Sequence, residues 1–453
     1  MIPRIVVAGT SSGAGKTTVA CGLIGALRAR GLTVQGFKVG PDYIDPSYHA
    51  LASGRPGRNL DAFLSGPELI APLVRHGADG ADVAVIEGVM GLFDGASGRG
   101  ELASTGHVAK LLGAPVVLVI DAASMARSAA AIVHGYRTFD PDIEVAGVIF
   151  NRVGSDTHEQ LLREAVAPLG VPVVGALRRD ARMGAPERHL GLVPAGEHEA
   201  STRATLDALA DSVARNVDLD ALLRLAHAAP AASGEAWSPA AADAPAAGAR
   251  IAIARGPAFS FHYEENLELL AAAGAELVPF DPLTDGELPP QTGALLLAGG
   301  FPEVFGAELE ANEPLRRSVA DFAASGRPVL AECGGLLYLC RELDGHELCG
   351  AIPARASMTG RLTLGYREAE AVTATPWIEA GERLRGHEFH YSEVELDADA
   401  HPAWRLAART GERTEGYVAG ALQASYLHVH WAAHPQLALR LARAARTAQP
   451  APA

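Results

Sequence analysis

The chain has 453 residues, 48% of them hydrophobic and 20% charged, and a formal net charge of −15. This length exceeds one ordinary hydrophobic core, so we expect a globular protein of two or three domains. The acidic balance argues against nucleic acid or an anionic membrane surface as a partner, and no apolar run reaches the length of a membrane span.

The cysteines and the N-terminus indicate a location. Four cysteines without a paired framework are typical of a reducing compartment. The chain enters a predicted strand at once, without a cleavable apolar leader. We therefore predict a cytoplasmic protein and leave its oligomeric state open, with a homodimer as one option.

The first part of the chain alternates short apolar runs with helical segments. Such alternation is typical of an α/β domain whose parallel sheet is covered by helices on both faces, and we assign this domain to residues 1–226. The predicted strands are 5–8, 34–38, 83–86, 115–120 and 145–150, and the predicted helices include 18–30, 107–112 and 156–169.

The first predicted strand runs into a glycine-rich loop, Gly9-Thr-Ser-Ser-Gly-Ala-Gly-Lys-Thr-Thr18, that opens a helix. Glycines let the backbone fold tightly, so that its N–H groups point at phosphate oxygens. Lys16 is then placed to reach the β- and γ-phosphates, and the Thr17 hydroxyl to bind Mg²⁺. The loop is one residue longer than the simple Walker pattern and resembles that of dethiobiotin synthetase. The predicted nucleotide-binding residues are Thr10, Gly13, Gly15, Lys16, Thr17 and Thr18.

Charged residues follow the next two strands in the chain. Lys38, Asp42 and Asp45 lie at or just after the second predicted strand, and Glu87 and Asp94 follow the third. The carboxyl ends of parallel strands meet at one edge of a sheet, beside the nucleotide phosphates. We expect Lys38 to neutralise phosphoryl charge, Asp42 and Asp45 to bind metal or orient substrate, and Glu87 to supply a further metal-organising carboxylate.

Asn151 follows the predicted strand at 145–150. Its amide is placed where it could read adenine and so belongs to the predicted nucleotide site. A plain turn asparagine is an equally good interpretation.

The composition changes between residues 227 and 249 to a run dominated by alanine and proline. Such a run cannot bury a core and is predicted to be an interdomain linker. A second α/β pattern covers residues 250–446, with predicted strands at 250–254, 276–280, 294–298 and 328–331. The tail at 447–453 is predicted to be disordered.

Cys333 is the most informative residue of the second domain. An apolar strand runs into Cys333, two glycines and a helical segment, Ala331-Glu-Cys-Gly-Gly-Leu-Leu337. A cysteine on such a sharp turn projects outward, and the helix N-terminus behind it favours the thiolate. We predict that Cys333 is a nucleophile rather than a buried structural cysteine.

A base and an oxyanion hole are predicted for this thiol. His428 and His430 are two apart in a strand-like run, so both are expected on one face, with one as general base for Cys333. The glycine-rich loop at 297–303 follows another strand. Its N–H groups at Gly300 and Phe301, together with that of Gly334, are predicted to stabilise an oxyanion, which describes acyl transfer through a thioester.

These motifs together resemble those of the cobyrinate (or hydrogenobyrinate) a,c-diamide synthase family. The resemblance covers nearly the whole chain apart from the linker and the tail. The matching runs are 37–46, 86–95, 188–194, 264–267, 299–303, 331–335, 386–391 and 424–430.

The resemblance implies an ATP-dependent amide ligase domain joined to a class I (triad-type) glutamine amidotransferase-like α/β domain. Cys333 would form a glutamyl thioester and release ammonia from L-glutamine. ATP and Mg²⁺ would phosphorylate acetate side chains of a corrin macrocycle, and ammonia would then displace phosphate at positions a and c.

The resemblance also assigns residue roles. Lys16, Thr17 and Glu87 would organise ATP and metal, with Thr17, Asp45 and Glu87 as the metal set, and Tyr43, Asp42, Asp45 and Asp94 would lie near the substrate carboxylates.

One motif departs from the wider amidotransferase pattern. Triad amidotransferases usually carry His-Pro-Glu, in which the glutamate orients the base. This chain has His428-Val-His430 instead, so either His430 substitutes for the glutamate or the site is a dyad.

Three alternatives remain open from sequence alone. The substrate could be another tetrapyrrole, such as nickel-sirohydrochlorin, or a corrin amidated at later positions, as by cobyric acid synthase. A nucleotide-dependent partner-binding switch of the partitioning type is an interpretation from a different class, although Ser11 stands where those proteins carry a lysine. The second domain could also be an inactive remnant.

Overall fold

The computed structural model of the protein describes residues 2–179, 199–231, 234–239, 246–397, 400–408 and 411–449, and the backbone of 187–188 and 191–192. The chain separates into two compact units, Met1–Ser238 and Pro239–Ala453. Most of the family-like run at 188–194 lies outside the described residues. Across the part of the chain that is described, none of the helices combines the length and apolarity needed to cross a membrane.

The first unit is built on a parallel seven-stranded sheet with the order β3-β2-β4-β1-β5-β6-β7. Strands β1, β2 and β4 are buried at every residue, which explains their continuous apolar sequence. The strands are β1 (Arg4–Gly9), β2 (Val34–Val39), β3 (Arg58–Leu60), β4 (Val83–Glu87), β5 (Val116–Asp121), β6 (Val145–Val153) and β7 (Val173–Arg178), with a separate pair β8 (Glu187–Arg188) and β9 (Gly191–Leu192).

Helices connect these strands, as the alternating pattern predicted. The order places the ends of β1, β2 and β4 side by side, and these are the strands followed by the glycine-rich loop and the predicted carboxylates. The helices are α1 (Lys16–Ala29), α2 (Ile44–Ser53), α3 (Pro67–Gly77), α4 (Thr105–Leu112), α5 (Ser128–Phe139), α6 (Asp156–Val166), α7 (Glu199–Asn216) and α8 (Leu219–Ala228).

The second unit contains two sheets. One is mainly parallel, with the order β11-β10-β12-β13-β21-β20, and the other is a seven-stranded, mostly antiparallel sheet built around β16 and β17. The strands are β10 (Ala249–Ala254), β11 (Ala275–Phe280), β12 (Ala294–Leu297), β13 (Val329–Glu332), β14 (Glu342–Leu343), β15 (His346–Glu347), β16 (Ala354–Ala371), β17 (Arg383–Leu396), β18 (Trp404–Ala408), β19 (Gly411–Glu415), β20 (Tyr417–Ala419), β21 (Leu422–Ser425) and β22 (His428–Val429).

Helices of the second unit pack against the parallel sheet and flank the thiol turn. The chain leaves the parallel sheet after β21 and enters the antiparallel sheet at β22, which pairs with β17. The helices are α9 (Glu264–Ala272), α10 (Gly306–Ala311), α11 (Glu313–Ala324), α12 (Gly334–Leu339) and α13 (Gln436–Ala448).

The boundary between the units falls within the segment predicted as a linker, but part of that segment is structured. Helix α8 continues to Ala228. Trp237 is buried, and its backbone N–H donates to the Pro72 carbonyl (3.0 Å). Its indole ring lies edge-on to the His76 ring. Helix α13 likewise reaches Ala448, two residues into the predicted tail. Residues 232–233, 240–245 and 450–453 of the predicted linker and tail lie outside the described residues.

Candidate active sites

The lysine that ends the loop between β1 and α1 is hydrogen-bonded to the loop itself. Gly13 and Gly15 have φ angles of 76° and 98°, in the left-handed region that glycine adopts without steric cost. Lys16 begins α1, and its Nζ donates to the carbonyls of Ser11 (3.0 Å) and Met90 (2.7 Å). The lysine thus ties the loop to the segment that follows β4.

The other predicted loop residues border the same turn. Thr10 and Thr18 are half-buried. The Tyr136 hydroxyl donates to the Thr10 carbonyl (2.7 Å), so a residue of α5 holds the start of the loop. Binding of nucleotide by these residues stays a prediction.

Asn151 lies against the loop rather than beyond it. Its Nδ2 donates to the Ala14 carbonyl (3.1 Å), and its Oδ1 accepts the N–H of Arg152 (2.9 Å). A Cβ on Gly15 would lie 2.0 Å from the same Nδ2. Both ends of the amide are therefore engaged within the protein, which supports a role in bracing the loop, and contact with adenine stays a prediction.

The first turns of α1 and α2 and the ends of β2 and β4 bring four polar side chains together. Lys38 Nζ lies 2.6 Å from Asp45 Oδ2 and 2.8 Å from Glu87 Oε1. The Thr17 hydroxyl donates to Glu87 Oε1 (2.6 Å) and lies 3.4 Å from Asp45 Oδ2. The three predicted metal ligands are thus neighbours, and Lys38 sits among them.

The charged side chains of this cluster are buried, and burial, followed by the charges of Asp42 and Glu87, raises the pKa of Asp45 above its ordinary value. Burial opposes the charged form of Lys38, yet the carboxylates of Asp45 and Glu87 raise its pKa above the ordinary value. Burial also opposes ionisation of Glu87, but the Lys38 ammonium and a hydrogen bond from His49 hold the pKa of Glu87 below its ordinary range. Lys38 and Glu87 therefore form a buried ion pair.

His49 is a site residue that sequence reasoning missed. Its Nε2 lies 2.7 Å from Glu87 Oε2, and both side chains are fully buried. Gly36 leaves room for the ring, since a Cβ there would come within 2.8 Å of the His49 Cβ. One signal was present in the sequence: His49 lies one helical turn after Asp45, so both face the same side of α2.

Two predicted substrate residues have local structural partners. Asp42 Oδ1 accepts the first two N–H groups of α2 (2.7 and 3.1 Å), and Asp94 Oδ2 accepts the N–H of Gly91 (3.0 Å). Tyr43 is half-buried and adjoins the start of the same helix. Contact of these side chains with substrate stays a prediction.

The donor atoms of this unit fit Mg²⁺. A hydroxyl and two carboxylates supply hard oxygen ligands, which this ion prefers. Within the described residues, no group of three or more His, Cys, Asp and Glu side chains could hold a metal by itself. A cation at Thr17, Asp45 and Glu87 would therefore rely on phosphate and water oxygens as well, as Mg²⁺ commonly does.

In the second unit, Cys333 occupies a tight turn between β13 and α12. Its φ of 48° and ψ of −103° are unusual for a non-glycine residue. Its N–H donates to the Ser425 carbonyl of β21 (2.7 Å), which fixes the turn to the sheet. Glycine is required at position 335, because a Cβ on Gly335 would lie 2.2 Å from the Leu297 carbonyl oxygen.

The thiol environment differs from the expected one. All four cysteines are free and buried. Burial, followed by the charge of Glu303, raises the pKa of the Cys333 thiol well above its ordinary value, although a hydrogen bond from the Gly334 N–H works in the opposite direction. The short helix α12 therefore does not by itself produce the predicted thiolate, and a neighbouring base is required.

Two of the three predicted oxyanion donors remain candidates. A Cβ on Gly334 would lie 2.9 Å from the Gly300 nitrogen, so the two turns are in contact. Among the described residues, no backbone carbonyl accepts the Gly300 N–H. The prediction for Phe301 is wrong, because its N–H donates to the Ala258 carbonyl (3.1 Å) and is not free to stabilise an oxyanion.

His428 lies beside this turn, and its neighbours include Glu332, His387 and Gly299. Its Nδ1 is 3.5 Å from Glu332 Oε2, the separation of an ion pair rather than of an aligned hydrogen bond. Its ring stacks on His387, with centroids 4.9 Å apart, and its Cε1 lies 2.6 Å from the position of a Cβ on Gly299. Glu332 was not predicted, and its one sequence signal is an acidic residue at the end of an apolar strand.

His430 has other direct neighbours, although Tyr263 links its ring to His387, which stacks on His428. Strand β22 ends at residue 429, and His430 Nδ1 accepts the N–H of Ala432 (3.3 Å). Its Nε2 lies 3.4 Å from Glu265 Oε2, and its ring centroid is 4.7 Å from that of Tyr263. The regular strand stops before His430, and a common face for the two histidines stays a prediction. His428 is the histidine at the thiol turn.

Two domain families match the two units. Residues 5–193 match the CobQ/CobB/MinD/ParA nucleotide binding domain. Residues 250–436 match the CobB/CobQ-like glutamine amidotransferase domain.

Several curated relatives are similar over nearly their whole length. The hydrogenobyrinate a,c-diamide synthase of Streptomyces coelicolor is 55% identical over 98% of both chains. That of Thermobifida fusca is 50% identical over 99% of this chain and 98% of its own. The cobyrinate a,c-diamide synthase of Syntrophotalea carbinolica is 46% identical over 96% of both chains.

Proposed function

Since the chain belongs to the cobyrinate and hydrogenobyrinate a,c-diamide synthase family, we propose that it converts the a and c acetate carboxylates of a corrin macrocycle into amides, with ATP and L-glutamine. The observation that carries this proposal is the pairing of a phosphate-binding loop in one unit with a thiol turn in the other. Full-length similarity to diamide synthases disfavours the partner-binding switch.

The second unit would release the nitrogen. His428 would take the proton of the Cys333 thiol as the sulfur attacks the side-chain amide carbon of glutamine. The Gly334 and Gly300 N–H groups would stabilise the oxyanion. The proton then passes to the departing ammonia, and water hydrolyses the resulting glutamyl thioester to glutamate.

The first unit would activate the acceptor. A carboxylate oxygen of the macrocycle attacks the γ-phosphorus of ATP, ADP leaves, and an acyl phosphate forms. Ammonia then attacks the acyl carbon and phosphate leaves. This splits one difficult substitution into two easier ones. Lys16 would hold the transferring phosphoryl group, while Lys38 would keep the carboxylates of Asp45 and Glu87 in place.

Mg²⁺, held by Thr17, Asp45 and Glu87, would neutralise charge on the β- and γ-phosphates. Tyr43, Asp42 and Asp94 would border the substrate carboxylates.

We place the reaction in the cytoplasm, where thiols stay reduced, and retain a homodimer as a prediction.

We favour the metal-free macrocycle as the substrate. The relatives at 50–55% identity are named hydrogenobyrinate synthases, whereas the cobyrinate synthases compared with this chain are 43–46% identical. Mass spectrometry after incubation with ATP, Mg²⁺, glutamine and either the metal-free or the cobalt-containing ring tests this choice. We expect two hydroxyl-to-amino exchanges on the metal-free ring, and unchanged rings in both reactions would refute the proposed activity.

Two variants separate the half-reactions. Cys333→Ser should lose glutamate release yet still amidate the ring when ammonium salts are supplied. Lys16→Ala should fail to amidate even with ammonium. Glutamine hydrolysis by Cys333→Ser at the wild-type rate, or ammonium-dependent amidation by Lys16→Ala at that rate, would contradict the assigned roles.

A further inference from the structure

The histidine at the thiol turn has a carboxylate neighbour that the His-Pro-Glu pattern does not supply. The position two residues after the base holds His430, which has different neighbours. Glu332 Oε2 instead lies 3.5 Å from His428 Nδ1, and the two side chains are 13% and 2% exposed. A carboxylate at this distance in a buried site can orient the imidazole from its Nδ1 side.

Glu332 is held rigidly by the same strand that carries the nucleophile. It is the last residue of β13 and directly precedes Cys333. In the register of β13 and β21, Glu332 pairs with Ser425, whose carbonyl accepts the Cys333 N–H (2.7 Å). One strand end thus sets the position of the nucleophile and of the carboxylate together.

The placement of Glu332 at Nδ1 has a chemical consequence. An imidazole whose Nδ1–H faces a carboxylate keeps its Nε2 lone pair available to accept a proton. The stacked His387 offers no competing charge, because burial and the proximity of His428 lower its pKa well below the ordinary value. Tyr263 Oη, 2.9 Å from His387 Nε2, holds that second ring in place.

From this geometry we infer that Glu332 is the positioning residue of the glutaminase site, in that it sets the tautomer and orientation of His428. The inference rests on the proposed glutamine hydrolysis at Cys333. It makes the site a Cys-His-Glu arrangement in which the carboxylate precedes the nucleophile instead of following the base. Glu265 has the corresponding place beside His430 and is the natural comparison.

Glu332→Gln tests this role with little change in volume. We expect kcat for glutamine hydrolysis to fall at least tenfold. KM for glutamine should change little, because Glu332 is proposed to orient His428 and not to contact glutamine. Glu332→Asp should recover part of the rate. Alkylation of Cys333 by iodoacetamide near pH 7 should slow, a readout that requires neither ATP nor macrocycle.

Glu265→Gln is the matched comparison and should lower kcat for glutamine hydrolysis less than Glu332→Gln does. Wild-type kcat in Glu332→Gln would overturn the inference, as would a tenfold loss of kcat in Glu265→Gln alone. Glutamine hydrolysis is measured without macrocycle, so failure of the proposed ring amidation would be recognised separately. Ammonium-dependent amidation at the wild-type rate by Glu332→Gln would show that the lost rate does not come from misfolding.

Discussion

His49 Nε2 lies 2.7 Å from Glu87 Oε2, and neither side chain is exposed to solvent. Because a carboxylate can only accept, the proton of this bond belongs to His49. Glu87 therefore has its Oε2 held by His49 while its Oε1 faces Thr17 and Lys38. The histidine fixes the orientation of a carboxylate predicted to organise the metal.

Removing this donor should loosen the metal site. In His49→Ala, Glu87 keeps its charge but loses a buried partner, which costs about 1–3 kcal/mol of stability. We expect the Mg²⁺ concentration needed for half-maximal binding of a fluorescent ATP analogue to rise severalfold. His134→Gln, an exposed histidine of α5, serves as the control. An unchanged Mg²⁺ requirement in His49→Ala would contradict the assignment.

Nucleotide affinity should depend on the charge of Lys16. Burial and the Lys38 ammonium lower the pKa of Lys16 to about 8. The lysine is charged below that pH and loses its proton above it, so the affinity for a non-hydrolysable ATP analogue should fall as the pH rises from 7 to 9. Isothermal titration calorimetry across this range checks the trend. Lys16→Arg, which remains charged throughout, should bind with a flatter pH dependence, and equal slopes would argue against Lys16 as the titrating group.

The two glycines of the loop should differ in their tolerance of alanine. Both have positive φ, which costs an alanine roughly 1–2 kcal/mol. A Cβ at Gly13 meets no atom within 4 Å, whereas at Gly15 it would lie 2.0 Å from Asn151 Nδ2. Gly15→Ala should therefore abolish binding of the ATP analogue, while Gly13→Ala should weaken it only moderately. Similar losses in both variants would refute the bracing role of Asn151.

Glu415 should make the second unit sensitive to alkaline pH. It accepts from the Ser425 hydroxyl (2.6 Å) and the Tyr426 N–H (2.8 Å), next to the carbonyl that holds Cys333. Burial raises its pKa to about 7, above the value of about 4.3 expected in an unfolded chain. The protonated carboxyl is the stable form in the fold. Its contribution is complete below the unfolded pKa and is lost as the pH rises through 7.

The corresponding measurement is thermal unfolding between pH 5 and pH 8.5. The difference between the two pKa values corresponds to about 3–4 kcal/mol at the alkaline end. The side chain in Glu415→Gln cannot ionise, so the unfolding temperature of this variant should depend less on pH. Relative to the wild type, the variant should become more stable as the pH rises. Parallel curves for the two proteins would exclude Glu415 as the source.

The sequence anticipated the first unit better than the second. Continuous apolar runs predicted five of its strands, because buried parallel strands carry a strong signal. The antiparallel sheet around β16 and β17 was not predicted, since its strands are partly exposed and mix charged with apolar residues. The meeting of strand ends at one edge of a parallel sheet brought Thr17, Asp45 and Glu87 together as expected. The role of His430 stays a prediction, and the strand ends one residue earlier than the pattern suggests.

The contacts that sequence could not supply are those between distant segments. His49 and Glu87 are 38 residues apart, and His428 lies near Glu332 because β21 pairs with the end of β13. The Phe301 N–H was assigned to the oxyanion hole from its place in a glycine-rich loop, but its acceptor is a carbonyl more than forty residues earlier, at Ala258. Local motifs predict which residues are present at a site, and the partners of those residues depend on the tertiary fold.

The backbone at Cys333 adopts a φ of 48° and a ψ of −103°, a combination that glycine would tolerate better than any side chain. Glycine at this position would relieve the turn and remove the sulfur at the same time. Selection for thermal robustness alone would therefore remove the proposed nucleophile, and a stabilising library made from this chain should keep residue 333 fixed.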